Sequence, residues 1–68
     1  MKIIKARISI GGKWEQNTVY ATFTDGSEKM LFKYFPDELS FSEDEFLGLT
    51  EDEAHDLFHK KDIEYLRS

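Results

Sequence analysis

The sequence predicts a small α+β domain: a three-stranded antiparallel β-meander (β-β-β) followed by a short helix and a longer C-terminal helix, packed on one face of the sheet. Three observations predict it. Residues 18–24 and 27–35 are rich in β-branched and aromatic side chains and flank Asp25-Gly26. Asp-Gly between two such runs signals a hairpin, because glycine accepts a positive φ at no steric cost. Residues 2–10 alternate polar and apolar, the period of a half-buried strand. Beyond Pro36, Ser42-Glu-Asp-Glu45 and Thr50-Glu-Asp-Glu53 both spell capping boxes, the signature of two helix starts.

The first strand, near 2–10, places Ile4, Ala6, Ile8 and Ile10 on one face and Lys5, Arg7 and Ser9 on the other. Gly11-Gly12 ends it. A connection reaching to about Gln16 sets Ile8 opposite Val19, Ala6 opposite Ala21 and Ile4 opposite Phe23. Trp14 falls within that connection, as a lid over the edge of the sheet or as a contact residue. The second and third strands are expected near 17–24 and 28–35. A two-residue turn at Asp25-Gly26 pairs Thr24 with Ser27, Ala21 with Met30 and Val19 with Phe32. The core face then carries Val19, Ala21, Phe23, Met30, Phe32 and Tyr34. The outer face carries Thr18, Tyr20, Thr22, Lys29, Leu31, Lys33 and Phe35. Pro36 cannot donate to a ladder and ends the third strand.

The short helix is expected near 43–47, with Phe41 and Phe46 stapling its start and Gly48 closing it in the C′ position. The longer helix begins at Glu51 and runs to about Lys60. At about 100° per residue, Ala54, Leu57 and Phe58 form the stripe that lies on the sheet. Ile63 and Leu66 fall on the opposite side of an unbroken helix. The pattern therefore predicts a break near Lys60-Lys61-Asp62, with Asp62 capping a last turn that tucks Ile63, Tyr65 and Leu66 inward. Lys60 and Lys61 suit a helix C-terminus, where cations favour the dipole.

Sixty-eight residues make one domain, 1–68, close to the lower limit for a single hydrophobic core. The chain has no cysteine, so disulfides and thiolate metal sites are excluded, and an unstapled domain of this size is expected in the cytoplasm. Charges interrupt every apolar run of the opening Met-Lys-Ile-Ile-Lys-Ala-Arg, so neither a signal-peptide core nor a membrane span is expected there. The protein is expected to be soluble, a monomer or a weak homodimer, without membrane association. Net charge is −5, unevenly spread. Residues 1–34 carry six bases against three acids, whereas residues 35–68 carry eleven acids against Lys60, Lys61 and Arg67.

No catalytic pattern emerges. General acid–base work needs a carboxylate desolvated in a cleft, and a sheet with one helical layer at this length offers little cleft. The serines lack His/Asp companions, and no helix follows Gly11-Gly12 to make a phosphate cradle. The expectation is no enzyme and no cofactor. Asp52, His55 and His59 stand on one side of the longer helix, the two imidazoles at i, i+4, a spacing that helical metal sites use. Without a His-Glu-x-x-His pattern or a further histidine, the expectation is a solvated helix surface pointing away from the core, with no metal.

Two surfaces carry binding chemistry. Lys5, Arg7, Lys29 and Lys33 group around Tyr20 on the outer sheet face, an arrangement that stacks bases and neutralises phosphates in some single-strand binders. The same residues also serve the solubility and β-propensity of any open sheet face. The helical half holds an acidic run, with Glu43, Asp44, Glu51, Asp52 and Asp56 as its candidate binding residues. Helix first turns favour anions through the macrodipole, which accounts for part of the run; nine acids without an intervening base also create a strong negative field. The function expected is therefore non-catalytic binding of another protein's basic surface through the acidic helical half. Nucleic-acid binding through the basic and aromatic sheet face is the alternative.

Overall fold

The computed structural model describes residues 1–12 and 15–67. Strands β1 (Ile3–Ser9), β2 (Asn17–Phe23) and β3 (Glu28–Tyr34) form one antiparallel sheet in that order. A 3₁₀ turn (Glu43–Phe46) and helix α1 (Glu51–Arg67) follow. The predicted meander and its helical half are both present. Trp14 lies outside the described residues.

The β2–β3 hairpin departs from the predicted two-residue turn. Gly26 N–H donates to Phe23 O at 2.9 Å and Phe23 N–H to Ser27 O at 2.8 Å, with Gly26 at φ +87°. This is a three-residue loop, Thr24-Asp25-Gly26, closed by a left-handed glycine. Asp25 dictates it: its Oδ1 accepts from Ser27 N–H at 3.0 Å and from Ser27 Oγ at 2.6 Å, drawing Ser27 back over the turn. The extra loop residue shifts the register by one beside the turn, so that Tyr20 pairs with Met30, Ala21 with Lys29 and Thr22 with Glu28. A bulge between Val19 and Tyr20 absorbs the shift, and Val19 meets Phe32 as predicted. Between turn and bulge the predicted faces are therefore exchanged. Leu31 is buried (5% exposed) and Met30 is not (50%). Lys29 leaves the outer face for the helix side, where its Nζ lies 2.8 Å from Glu51 Oε2 and 6.0 Å from the centre of the Phe23 ring.

Strand β1 pairs with β2 as predicted at Ala6–Ala21 and Ile8–Val19, but Ile3 rather than Ile4 stands opposite Phe23. The register slips between Ile3 and Lys5. The cause lies on the other edge of β1. Ile3 N–H donates to Leu49 O at 2.7 Å and Gly48 N–H to Ile3 O at 2.9 Å, so the chain entering α1 holds Ile3 in place. Gly48 makes this approach at φ +85°, the left-handed conformation expected of a C′ glycine. Ile3 is buried, and Ile4 and Ile10, both predicted inward, are exposed. Between β1 and β2, Gly11 N–H donates to Asn17 Oδ1 at 3.0 Å, which satisfies the buried asparagine.

Both capping boxes form. Ser42 N–H donates to Glu45 Oε2 at 2.7 Å; Thr50 N–H donates to Glu53 Oε1 at 2.9 Å, and Glu53 N–H to Thr50 Oγ1 at 3.2 Å. The first start yields only a 3₁₀ turn, enough to bury Phe46 completely. The second launches a helix that runs unbroken through 60–62, against the predicted break. Lys61 is the reason. It lies on the inward stripe with Ala54, Leu57 and Phe58, and its Nζ reaches Ser40 O at 2.6 Å and Glu45 Oε1 at 2.7 Å, 4.4 Å from the centre of the Phe41 ring. Lys61 thus docks the middle of α1 instead of ending it, and the helix carries Ile63, Tyr65 and Leu66 past the core, exposed.

The core lies between the sheet and the helical half. Ile3, Ala6, Val19, Ala21, Phe23 and Leu31 meet Leu39, Phe46 and Ala54, with Phe32, Phe41 and Phe58 packed alongside. One face of the sheet is covered in this way.

Candidate functional site: an acidic helical half and an open sheet face

The five acids predicted as a binding face divide by what each does within the chain. Glu51 pairs with Lys29 at 2.8 Å, and Glu43 Oε2 accepts from Ile8 N–H at 3.3 Å along the edge of β1. Both contribute to the joint between the helical half and the sheet. Asp44, Asp52 and Asp56 are exposed, and among the described residues their carboxylates meet no donor or cation of the chain. The acids that complete the capping boxes are different ones. Burial pushes Glu45 up, but Lys61 and the Ser42 amide outweigh it and hold its carboxyl below the ordinary value. Hydrogen bonds from the Thr50 amide and hydroxyl hold Glu53 low. Asp25 is lowered by Ser27 in the hairpin loop. Capping and loop closure therefore account for Glu45, Glu53 and Asp25, and leave Asp44, Asp52 and Asp56 unaccounted for.

The histidine pair does not assemble with Asp52. His55 is half-buried, its ring 6.1 Å from that of Phe32, instead of pointing away from the core as predicted. His59 is exposed beside Phe58. Among the described residues, no three His, Cys, Asp or Glu side chains come close enough together to hold a metal ion.

The outer face of the sheet keeps four of its five predicted residues. Arg7 and Tyr20 are neighbours across the β1–β2 ladder, with the Arg7 guanidinium 4.4 Å from the centre of the Tyr20 ring. Arg7 also stands 3.9 Å from Glu28, an exposed pair of little energetic weight. Lys5 and Lys33 are exposed in rows with Thr22 and Thr18. Lys29 is lost to the other side, and Glu28 takes a place in its stead, so the face is less basic than the sequence predicts. Among its apolar residues, Met30 takes the place of Leu31, which is buried. Met30 joins the Arg7–Tyr20 row, and a shallow depression at the far end of the face is lined by Ile10, Thr18, Lys33 and Phe35 among others. No sequence signal marks Met30 as exposed, because its placement follows from the loop and the bulge.

No helix among the described residues is long and apolar enough to cross a membrane. No protein-family model matches the chain, and comparisons with characterised proteins and with solved structures also return no match.

Proposed function

We propose that the protein is a non-catalytic binding module whose acidic helical half engages a basic surface of another protein. One observation carries this reading: Asp44, Asp52 and Asp56 are exposed without a partner among the described residues, while capping falls to Glu45 and Glu53. Helix stability alone needs fewer carboxylates than are present, since each first-turn acid contributes only about 0.3–1 kcal/mol. A partner surface that otherwise holds nucleic acid phosphates fits this charge pattern, which makes the module a regulator or inhibitor acting by charge mimicry. The nucleic-acid alternative is weaker than in the sequence, because Lys29 is turned away from the sheet face and Glu28 lies on it.

The test replaces Asp44, Asp52 and Asp56 together by Asn and measures capture of partner proteins at low and moderate salt. Rim charges act chiefly on association rate, so the triple variant is expected to associate more slowly while dissociation changes little. Capture with unchanged salt dependence would show that these acids play no part. In parallel, labelled single- and double-stranded DNA and RNA are titrated at about 50 and 200 mM salt, where phosphate contacts reveal themselves by a steep salt slope. No binding is expected. Binding that is abolished by Lys5→Glu with Lys33→Glu would transfer the function to the sheet face.

A further inference from the structure

We propose that the outer face of the sheet seats helix α1 of a second copy of this chain, in head-to-tail fashion. The inference rests on the reading above, that the acidic helix engages a basic surface, and assigns that surface to the protein itself. The helical half covers only one face of the sheet; the other presents Lys5, Arg7 and Lys33 with the acids Glu28 and, at the rim of the depression, Glu15, together with exposed Met30 and Phe35. The outward side of α1 is complementary to it. At helical spacing Asp52, Asp56, Ile63 and Leu66 fall within about 80° of one another, with the acids at one end and the apolar pair at the other. Leu66 is 72% exposed.

Dimensions agree as well as charge. A helix of 17 residues is about 25 Å long, and strands of seven residues are about 23 Å. Along α1 the acid pair and the apolar pair are separated by about 16 Å. Along the sheet, the rows that hold Lys5 and Ser9 are about 13 Å apart, and Ile10 and Phe35 lie just beyond the second. A helix laid along the strands thus brings Asp52 and Asp56 to Lys5 and Arg7, and Ile63 and Leu66 to Ile10 and Phe35. Lys33 then meets the C-terminal carbonyls of the incoming helix, where a cation is favoured. The open sheet becomes the middle layer of three. Because the two surfaces differ, the contact is heterologous and propagates into rings or open arrays.

The test uses two charge-reversed full-length chains, Lys5→Glu with Arg7→Glu and Asp52→Lys with Asp56→Lys, each checked for fold by circular dichroism, in sedimentation experiments from micromolar to millimolar concentration. The wild-type mass is expected to rise with concentration and fall with added salt. Each variant alone stays monomeric. Their equimolar mixture assembles again, since the intact helix of one variant meets the intact sheet of the other and the two reversed surfaces are themselves complementary, and a chain carrying all four substitutions assembles for the same reason. Should the helix variant fail to fold, Asp52→Asn with Asp56→Asn takes its place in the mixture. A wild-type chain that stays monomeric throughout overturns the inference, and so does a mixture that stays monomeric. If partner capture in those cases still depends on Asp44, Asp52 and Asp56, the acidic-face reading survives by itself. Self-association lost only in the sheet variant overturns it too, and points to a sheet-to-sheet contact.

Discussion

Neighbouring side chains in β3 have opposite fates, and the hairpin loop decides which is which. Leu31 enters the core while Met30 stands on the outer face beside Tyr20. Replacing a buried leucine by alanine costs about 2–5 kcal/mol, whereas a surface change away from special features stays within about 0.5 kcal/mol. Leu31→Ala is therefore expected to lower the unfolding midpoint sharply and Met30→Ala to leave it nearly unchanged, as read by urea denaturation. The reverse order would mean that the loop holds two residues rather than three. Asp25 shows why a single residue carries such weight: two hydrogen bonds from Ser27 to one carboxylate oxygen select the loop, and the loop selects the faces.

Helix starts, and the lysine that clamps them, act at the scale of the element. The Glu45 carboxylate serves both the cap at Ser42 and the ammonium of Lys61, and these interactions hold it below its ordinary value of about 4.5. A carboxyl lowered in the folded state adds stability that is present above the unfolded value and lost as pH falls through the folded one. Glu53 at the second cap is lowered in the same sense. Melting temperature is therefore expected to drop as pH falls below about 4.5. Glu45→Gln should melt lower than wild type at neutral pH, and the gap should close in acid, where the wild-type carboxyl is protonated as well. Thermal melts followed by circular dichroism across this range check the prediction; a gap of constant size would assign the effect of Glu45 to packing alone.

At the scale of the whole molecule, one aromatic cluster joins the sheet to the helical half. The Phe32 ring lies 4.8 Å from Phe58, 5.2 Å from Phe41 and 5.9 Å from Phe46, so strand, connecting segment, 3₁₀ turn and helix all meet on it. A chain of this length is expected to hold about 3–10 kcal/mol of stability, and loss of a packed phenylalanine costs about 3–5 kcal/mol. Phe32→Ala is expected to remove most or all of the cooperative urea transition. A variant that retains the wild-type midpoint would show that the two layers are held by the edge contacts of Ile3 with residues 48 and 49.

The order and type of the elements were legible in local chemistry. Asp-Gly marks the hairpin, Pro36 the end of the sheet, and Ser42 and Thr50 the two helical starts, because turns and caps are settled by side chains within three or four residues of the backbone they satisfy. The middle of each ladder was legible too, at Ala6–Ala21, Ile8–Val19 and Val19–Phe32, since alternation fixes which face is buried wherever the strands run without interruption. Only the tertiary structure decided the rest. Ile3 displaces Ile4 from the core because residues 48 and 49, distant in sequence, bond to its backbone. Met30, Leu31 and Lys29 change sides because a loop and a bulge compensate each other, and alternation cannot register two cancelling insertions. Helix α1 runs past Lys61 because Ser40 and Glu45 offer that lysine an inward partner, converting a predicted helix end into its anchor. By itself the sequence could count the acids of the helical half, but which of them are left facing solvent depends on where the caps, the β1 edge and Lys29 come to rest in space.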